Sequence, residues 1–524
     1  MSEMLRTGRA MAVATVVSRI TGFVRSLVLI AALGLGTRLM DAYTAANVTP
    51  NTIYELVMGG ALASVIVPLL VRQASRPEAD LFAQRLLSLV VYGLGAVVIV
   101  TVVAAPLIVD ATVSGFKPSQ RHLAVLFTRF FMPQILFYGV SATLAAVLNA
   151  RGRLTTPLWA PVANNLVVIG TGLAFVLVGG TGGATSLSTA QTLLLSIGTS
   201  AGVAAQMAVL AVAGRRAGFR FRLHADPRGI GVRRIAAMAA WTLASVAAAQ
   251  AVFVVSTNLA SHAGQGMLSV FTNASMVFQL PYAVIAVTVM TSVLPRMSRA
   301  AGRSDLAGVT ADLSRSLRLT GVALAPVAAA LIVLGPALTT LMFRHGGTSL
   351  EAARLAGQTL AVYGFALVPF AGYQIMLRTF YALGDTRTPA LVSVGVSAAT
   401  AASALVAAQV IGGARLVFAL AGCTGLAYAG GLVAAALLLR NRLGRVDGHR
   451  LLDTHLRTLA AATAAGLAAA AVARAVDAPF GAGPSSAAVV IVAASAAGGL
   501  LYALAARILG VAEVRTLTSA LRLG

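Results

Sequence analysis

Charged side chains are scarce in this sequence, because Asp, Glu, Lys and Arg together make up 10% of its 524 residues. A soluble domain carries roughly 25% charged residues, so the composition excludes a protein whose whole surface meets water. Cysteine occurs once, at Cys423, which excludes an internal disulfide bond. Lysine also occurs once, at Lys117, so arginine supplies almost all of the positive charge.

Motifs of catalysis and of metal binding are missing as well. The sequence contains no Walker A loop, no nucleophile elbow in a plausible context and no cluster of metal-ligand residues. We therefore predict that the chain is not an enzyme, uses no cofactor and binds no metal. The same absence disfavours an ATP-driven pump.

Apolar runs dominate what is present, since 58% of the residues are hydrophobic. Runs of about 20 residues recur along the chain and would cross a hydrocarbon core of roughly 30 Å as helices. They lack the period-2 alternation of barrel strands. We predict an all-α polytopic membrane protein with about 14 transmembrane helices. The candidate spans cover residues 10–34, 40–71, 84–109, 122–148, 157–179, 188–213, 235–259, 266–294, 319–343, 353–382, 389–412, 416–439, 456–475 and 485–508.

The placement of the positive charge predicts the orientation. A net charge of +24 would suit a nucleic-acid-binding protein, but most basic residues stand in short loops beside apolar spans. Of 39 Lys and Arg residues, seven fall on one side and three within spans, which leaves 29 on the other side. This bias predicts a multi-pass protein of the bacterial plasma membrane with both termini in the cytoplasm, and no nucleic-acid partner. The first apolar run has no small-residue cleavage site, so it reads as a span and not as a signal peptide.

The loop between the sixth and seventh spans, residues 214–234, holds the highest density of arginine. Such a loop can lie against anionic phospholipid headgroups. A plain topology signal explains it equally well, and the sequence leaves both readings open.

Two short motifs recur and indicate an internal duplication. Residues 149–157 and 381–389 both read Ala-x-Gly-x-x-x-Thr-Pro after their first residue, at an offset of 232. Residues 64–68 and 291–295 repeat a smaller pattern at an offset of 227. Six spans in each half give the halves the same orientation, and parallel repeats of this kind are typical of transporters with a substrate site between the halves.

The duplication sets the predicted domains. Residues 1–214 form an N-terminal lobe of six spans, 215–234 a basic cytoplasmic linker, and 235–440 a C-terminal lobe of six spans. Residues 441–524 hold the last two spans and a short cytoplasmic tail.

Two arginines lie inside the first span. Arg19 and Arg25 are about 9 Å apart along a helix axis, at depths of roughly 13 and 22 Å. A mid-bilayer arginine costs about 3 kcal/mol unless it meets water or a counter-charge. We predict that both arginines bind substrate, since guanidinium groups suit an anionic diphosphate. The alternative reading is a structural ion pair within the bundle. Glu55 in the second span lies at nearly the depth of Arg25, and we expect these two side chains to pair.

The second span carries further polar and flexible residues. Asp41 lies near its outer end, where a gating role and an ordinary interfacial role are equally supported. Pro50 and Asn51 are expected to interrupt the helix, and Gly59 and Gly60 to allow close packing or a bend.

Amides beside prolines are the remaining candidates for substrate binding. Asn164 and Asn165 follow Pro161 in the fifth span, and Gln279 precedes Pro281 in the eighth. They would line a wet cavity or bond neighbouring helices, and the sequence favours neither.

Several segments together resemble the MurJ (MviN) family of lipid II flippases, whose superfamily is that of the multidrug/oligosaccharidyl-lipid/polysaccharide exporters. The resemblance runs from the first to the twelfth span, and we expect the chain to be an actinobacterial member of the family. It is carried by Ser18-Arg-Ile-Thr-Gly-Phe-Val-Arg25, Met40-Asp-Ala-Tyr43, Pro50-Asn51, Gly60-Ala61 through Pro68, Leu148-Asn-Ala-Arg-Gly-Arg153, Ala160-Pro161 with Asn164, and Phe380-Tyr-Ala-Leu-Gly-Asp-Thr-Arg-Thr-Pro389.

The resemblance implies two six-helix lobes that rock about a central cavity, plus two extra C-terminal helices. It implies that Arg19 and Arg25 engage the diphosphate-sugar headgroup of lipid II, with Asp41 as the acid after the first span. Many relatives carry an arginine where Tyr54 aligns, and an arginine and a glutamate where Met276 and Gln279 align. The cavity of this chain would therefore be less cationic than theirs.

The leading functional hypothesis is a flippase that moves lipid II from the inner to the outer leaflet for peptidoglycan synthesis. Anionic phospholipid and other cell-wall synthesis proteins are further expected partners. The alternatives keep the fold and change the cargo: an exporter of another polyprenyl-linked glycan, or a drug/cation antiporter, which would need a membrane-embedded acid such as Glu55. A scaffold that transports nothing is a third class, but it gives buried arginines no purpose.

Overall fold

A computed structural model describes residues 2–59, 79–181, 187–222, 224, 232–444, 447–480 and 483–514. All regular elements within these ranges are helical, which confirms the predicted all-α fold. The α-helices are α1 (Ser2–Leu33), α2 (Arg38–Tyr54), α3 (Ala79–Val103), α4 (Ala105–Thr112), α5 (Pro118–Phe131), α6 (Gln134–Ala150), α7 (Thr156–Leu177), α8 (Thr189–Arg216), α9 (Val232–His262), α10 (Met267–Pro281), α11 (Val287–Gly302), α12 (Leu306–Phe343), α13 (Leu350–Ala382), α14 (Arg387–Val410), α15 (Arg415–Leu443), α16 (Gly448–Phe480) and α17 (Pro484–Ile508).

Thirteen helical segments of the described residues are long and apolar enough to cross a membrane. They correspond to the predicted spans except the second. The second span begins with α2 and continues through the π-helical turn Glu55–Gly59, and its remainder falls in residues 60–78, outside the described ranges. The polytopic character that was predicted from apolar run lengths is therefore confirmed.

The chain divides into two compact units. Unit one comprises Met1–Gln265 with the short loop His345–Thr348. Its core is built by apolar side chains of α2, α3, α6 and α8, which pack in one cluster. The largest contributors are Tyr54, Leu86, Leu87, Val90, Leu94, Met132, Ile135 and Phe219.

Unit two comprises Gly266–Arg344 and Ser349–Gly524. Within it, α12 and α13 approach so closely that a Cβ on Gly335 would lie 2.5 Å from the carbonyl oxygen of Gly357. Thr339 on α12 donates a 2.7 Å hydrogen bond to the carbonyl of Ala353 on α13. The last two helices, α16 and α17, pack on α12 through a small apolar cluster around Leu334.

The seventh span does not group as the duplication predicts. We expected it in the C-terminal lobe, but α9 packs with unit one. The loop after α4 holds its end, since the Gly115 amide donates to Ser261 Oγ at 3.1 Å and Asn258 Nδ2 donates to the Ala111 carbonyl at 3.1 Å. A sequence repeat reflects common origin, whereas the two compact units are defined by packing. For α9 the two criteria give different assignments.

Both copies of the longer repeated motif fold into the same turn. Gly152 and Gly384 have φ values of 75° and 76°, in the left-handed region that glycine tolerates best. The amide of Arg153 bonds the carbonyl of Leu148 at 2.9 Å, and that of Asp385 bonds Phe380 at 2.9 Å. The same helix-ending geometry therefore recurs at the 232-residue offset.

A second pair of features matches the shorter repeat. The π-helical turn Glu55–Gly59 follows α2, and the π-helical turn Tyr282–Ala286 follows α10. Their starts differ by 227 residues, the offset between residues 64–68 and 291–295. Because π-turns are rare and mostly appear at functional sites, their recurrence supports the duplication.

Candidate functional site in unit one

The candidate site is built on α1. Its membrane-spanning part is Val13–Leu33, 21 residues long, so Arg25 stands two residues past the middle. Arg19 is exposed on the same helix, and Arg25 is half-buried. The same helix exposes four apolar side chains, as expected of a helix in lipid: Val13, Val16, Ile20 and Val24.

Arg25 is held among aromatic hydroxyl groups. Its guanidinium interacts electrostatically with the phenol groups of Tyr43 and Tyr138. Its Nε atom is buried and has no hydrogen-bond partner among the described residues. A buried donor on a permanent charge without a bonded acceptor is costly, which makes Arg25 a candidate functional residue.

Tyr43 is fixed by its own packing. Its side chain is 2% exposed, and its hydroxyl lies 2.9 Å from Thr199 Oγ1. Its ring makes edge contacts with Phe127 and Phe131, with centroid distances of 6.0 and 5.6 Å. Sequence reasoning did not assign Tyr43 or Tyr138 a role, although Tyr43 belongs to a motif that carried the family resemblance.

Asn165 fixes the position of α1 on α7. Its Nδ2 donates to the Ser18 carbonyl at 3.2 Å and to Thr21 Oγ1 at 3.0 Å. The two bonded residues stand on either side of Arg19, because Ser18 precedes it and Thr21 follows it. Asn165 therefore bonds neighbouring helices, one of the two readings left open by the sequence, and it positions the arginines.

Asn164 behaves differently from its neighbour. It is 8% exposed, and its Oδ1 is buried without a partner. A Cβ on Gly202 would lie 2.5 Å from this oxygen, so α7 and α8 pack closely here. That Asn164 binds substrate stays a prediction.

The outer end of α1 is held by the loop His345–Thr348. The Gly347 amide donates to the Ala31 carbonyl at 3.2 Å, and the Leu35 amide donates to Thr348 Oγ1 at 2.9 Å. A Cβ on Gly346 would lie 2.0 Å from the Ala31 oxygen, so only glycine fits. The arginine-bearing helix is thus fixed at two levels, by Asn165 and by this loop.

The ion pair expected between Arg25 and Glu55 is not formed among the described residues. Glu55 is half-buried in the π-turn, and α1 packs mainly on α7 and only slightly on α2. Equal depth in two helices does not bring side chains together unless the helices also turn them toward each other. The prediction of this pair is wrong for this conformation.

The other residues singled out in the second span occupy varied places. Asp41 is 1% exposed in the first turn of α2, which Thr37 caps by accepting from the Met40 amide at 3.1 Å. The interruption expected at Pro50 and Asn51 occurs later, because α2 continues to Tyr54 before the π-turn begins. Gly59 ends that turn, and Gly60 lies outside the described residues.

Tyr54, the position at which the resemblance implied an arginine in many relatives, is 9% exposed, and its ring centroid lies 5.8 Å from that of Tyr138. Aromatic packing thus occupies this position in place of a cation.

In unit two, Gln279 is exposed near the end of α10, and its Nε2 donates to the Ser275 carbonyl of its own helix at 3.3 Å. Met276 is half-buried.

Comparison with known proteins decides the family. A family model described as lipid II flippase MurJ matches residues 30–490. The chain belongs to the MurJ family. It is 30% identical over 426 residues to a probable lipid II flippase MurJ of Rhizobium meliloti (strain 1021), which covers 78% of each chain. It is 28% identical over 411 residues to the lipid II flippase MurJ of Burkholderia cenocepacia, covering 77% of this chain and 78% of the relative.

Solved structures agree on the MurJ fold. A lipid II flippase MurJ in an inward closed conformation has a TM-score of 0.77 at 19% identity, and covers 95% of this chain and 99% of that one. A multidrug resistance MATE transporter in an inward-facing conformation has a TM-score of 0.67 at 13% identity, over 81% of this chain and 95% of that one. At these identities the likeness shows the fold alone.

The geometry around Arg25 predicts that Arg25→Gln and Glu55→Gln act independently. Because the two side chains form no ion pair here, their effects on the free energy of unfolding should add within about 0.5 kcal/mol. Thermal unfolding of the two single variants and the double variant in detergent measures this. Coupling of about 1 kcal/mol or more would show that the pair forms after all.

Proposed function

We propose that this chain moves lipid II, the undecaprenyl-diphosphate-linked peptidoglycan precursor, from the inner to the outer leaflet of the plasma membrane by alternating access. Membership of the MurJ family supports the cargo. One observation carries the site: Arg25 lies near the middle of a membrane helix, and its Nε has no hydrogen-bond partner among the described residues.

The two arginines of α1 would bind the diphosphate. A guanidinium is always charged and offers forked donors that match phosphate oxygens, whereas an ammonium is a point charge. Arg19 is exposed and about 9 Å from Arg25 along the axis, so each can engage a different part of the headgroup. Asn164 and Gln279 are further proposed ligands, and Asn165 acts through the position of α1. Asp41 and Glu55 are proposed as gating residues.

The orientation is part of the proposal. The charge bias supports cytoplasmic termini, with the loop 214–234 at the inner surface beside anionic phospholipid. Other cell-wall synthesis proteins are natural partners for a chain that delivers their substrate.

Alanine at Arg19 or Arg25 should weaken lipid II binding by about tenfold to a hundredfold, the effect expected when a charged hydrogen-bond donor is lost. Lysine should retain part of the affinity, and more at Arg19, where exposure leaves the ammonium hydrated. The measurement is the equilibrium binding of lipid II, and separately of undecaprenyl phosphate, to the purified full chain. Lipid II should bind more tightly because it carries the second phosphate.

Arg129→Ala is the matched control, since Arg129 is a third arginine within a span and is exposed in unit one. Its binding should equal that of the wild type. If Arg19→Ala and Arg25→Ala also bind lipid II like the wild type, the arginines are structural and Asn164 and Gln279 become the next residues to test.

The proposed orientation predicts opposite labelling at the two ends of α8. On a Cys423→Ala background, Thr189→Cys should react with an impermeant maleimide in intact cells, because this end is outside. Arg215→Cys should react only after lysis. Both positions are exposed, so accessibility on the protein is matched. Reaction of Arg215→Cys in intact cells would overturn the orientation.

A further inference from the structure

The repeated turn carries a carboxylate in only one of its two copies. In the second half, Asp385 Oδ1 accepts hydrogen bonds from the amides of Arg387 and Thr388, both at 3.0 Å. Its Oδ2 lies 2.7 Å from Arg442 Nη2, in an ion pair that lacks the alignment of a hydrogen bond. Arg442 stands two residues before Gly444, which ends α15 with a φ of 77°.

In the second copy, the negative charge of Asp385 is therefore balanced by the positive charge of Arg442. Burial alone would raise the pKa of Asp385, but the bonds from Thr388, the charge of Arg442 and the bond from Arg387 outweigh it and hold that pKa below its ordinary value. The carboxylate stays ionised at neutral pH and neutralises the arginine at the end of α15.

The first half has the same backbone and the opposite charge. The position of Asp385 is occupied by Arg153, at the 232-residue offset. Arg216 resembles Arg442 in its relation to a glycine of positive φ, since it stands two residues before Gly218, whose φ is 85°, after α8. The offset between these two arginines is 226 residues and not 232. Where the second half pairs a carboxylate with an arginine, the first half brings two arginines to one place.

These two arginines line a cavity of about 530 Å³ at the ends of α6, α7 and α8. Among the described residues, neither side chain makes a hydrogen bond or an ion pair. Thr156 adds a hydroxyl group to the lining. Two guanidinium groups without a counter-ion repel each other, and a phosphate would satisfy both through charge-assisted bonds.

The rest of the lining is apolar. Leu148, Val209 and Val212 contribute to the wall, and Val209 and Val212 are 37% and 46% exposed. A ligand that fits both parts has a phosphate group and a hydrocarbon chain. In the orientation proposed above, this cavity opens at the inner leaflet, where basic pockets between helices bind lipid headgroups.

We propose that Arg153 and Arg216 bind the phosphate group of an inner-leaflet lipid, which takes the place that the Asp385 carboxylate fills in the second half. The inference rests on the proposed orientation and not on the identity of the transported cargo. A lipid-linked diphosphate and an anionic phospholipid share the required chemistry.

The test uses the purified full chain in nanodiscs of phosphatidylcholine, with bound phosphatidylglycerol counted by native mass spectrometry after titration. Arg153→Gln and Arg216→Gln should each weaken binding about tenfold, since each removes a charged donor. Arg153→Asp should weaken it at least as much, because the new carboxylate would pair with Arg216 as Asp385 pairs with Arg442. Its melting temperature should equal or exceed that of the wild type, which separates this result from misfolding.

Arg215→Gln is the matched control, because Arg215 is exposed beside Arg216 but does not line the cavity. It should bind phosphatidylglycerol like the wild type. Equal loss in Arg215→Gln, or no loss for either phosphatidylglycerol or undecaprenyl diphosphate in the two glutamine variants, would overturn the site. A parallel titration with undecaprenyl diphosphate identifies the source of the phosphate: loss restricted to it assigns the site to the lipid-linked diphosphate, and loss for both assigns it to lipid phosphates in general. Equally tight binding of soluble inorganic diphosphate would contradict a lipid site.

Discussion

An arginine near the middle of a membrane helix, with no carboxylate partner among the described residues, is the constraint on which this structure depends. In lipid the charge of Arg25 costs several kcal/mol unless other groups compensate. The phenol groups of Tyr43 and Tyr138 lie close enough to interact with it electrostatically, and neither is a counter-charge. A full counter-charge would satisfy the arginine and leave nothing for a substrate. Partial compensation keeps the helix folded and leaves the guanidinium able to bind an anion.

The position of this charge is defined by bonds at other levels of the same helix. Asn165 bonds α1 at Ser18 and Thr21, on either side of Arg19, and the loop His345–Thr348 bonds its outer end. α9, the helix that corresponds to α1 in the duplicated sequence, contains no Asp, Glu, Lys or Arg between residues 235 and 262. Duplication has kept backbone features such as the glycine turns and the π-turns while the charges diverged. The same divergence separates Arg153 from Asp385 at the repeated turn, so function in this fold resides in charge placed on a shared backbone.

Much of the fold could be predicted from the sequence because it follows from one-dimensional quantities. Run length gives the spans, and the repeated glycine motif gives a turn that both halves form. The ion pair between Arg25 and Glu55 failed because depth along the membrane normal is one coordinate of three, and it does not say which way a helix is rotated. The helix interruption was expected at Pro50, yet the π-turn begins at Glu55, since an added residue in a helical turn has no compositional signal. The partners of Arg25 could not be named either, because Tyr43 and Tyr138 reach it only through tertiary packing.

The grouping of α9 shows a further limit of sequence. Its apolar pattern and its place in the repeat say nothing of the loop that holds its end, and that contact decides the unit to which it belongs. Contacts of this kind are set by loop geometry at a few atoms, which composition does not record.

The central claim is that this chain carries lipid II across the membrane with α1 as its headgroup site. The most direct measurement is the amount of lipid II accessible from outside intact native cells after depletion of the chain. The account predicts that externally accessible lipid II falls while total lipid II rises, and that re-expression of the wild-type chain restores it where the variant with alanine at both Arg19 and Arg25 does not. Unchanged external lipid II after depletion, with no other flippase acting, would contradict the account.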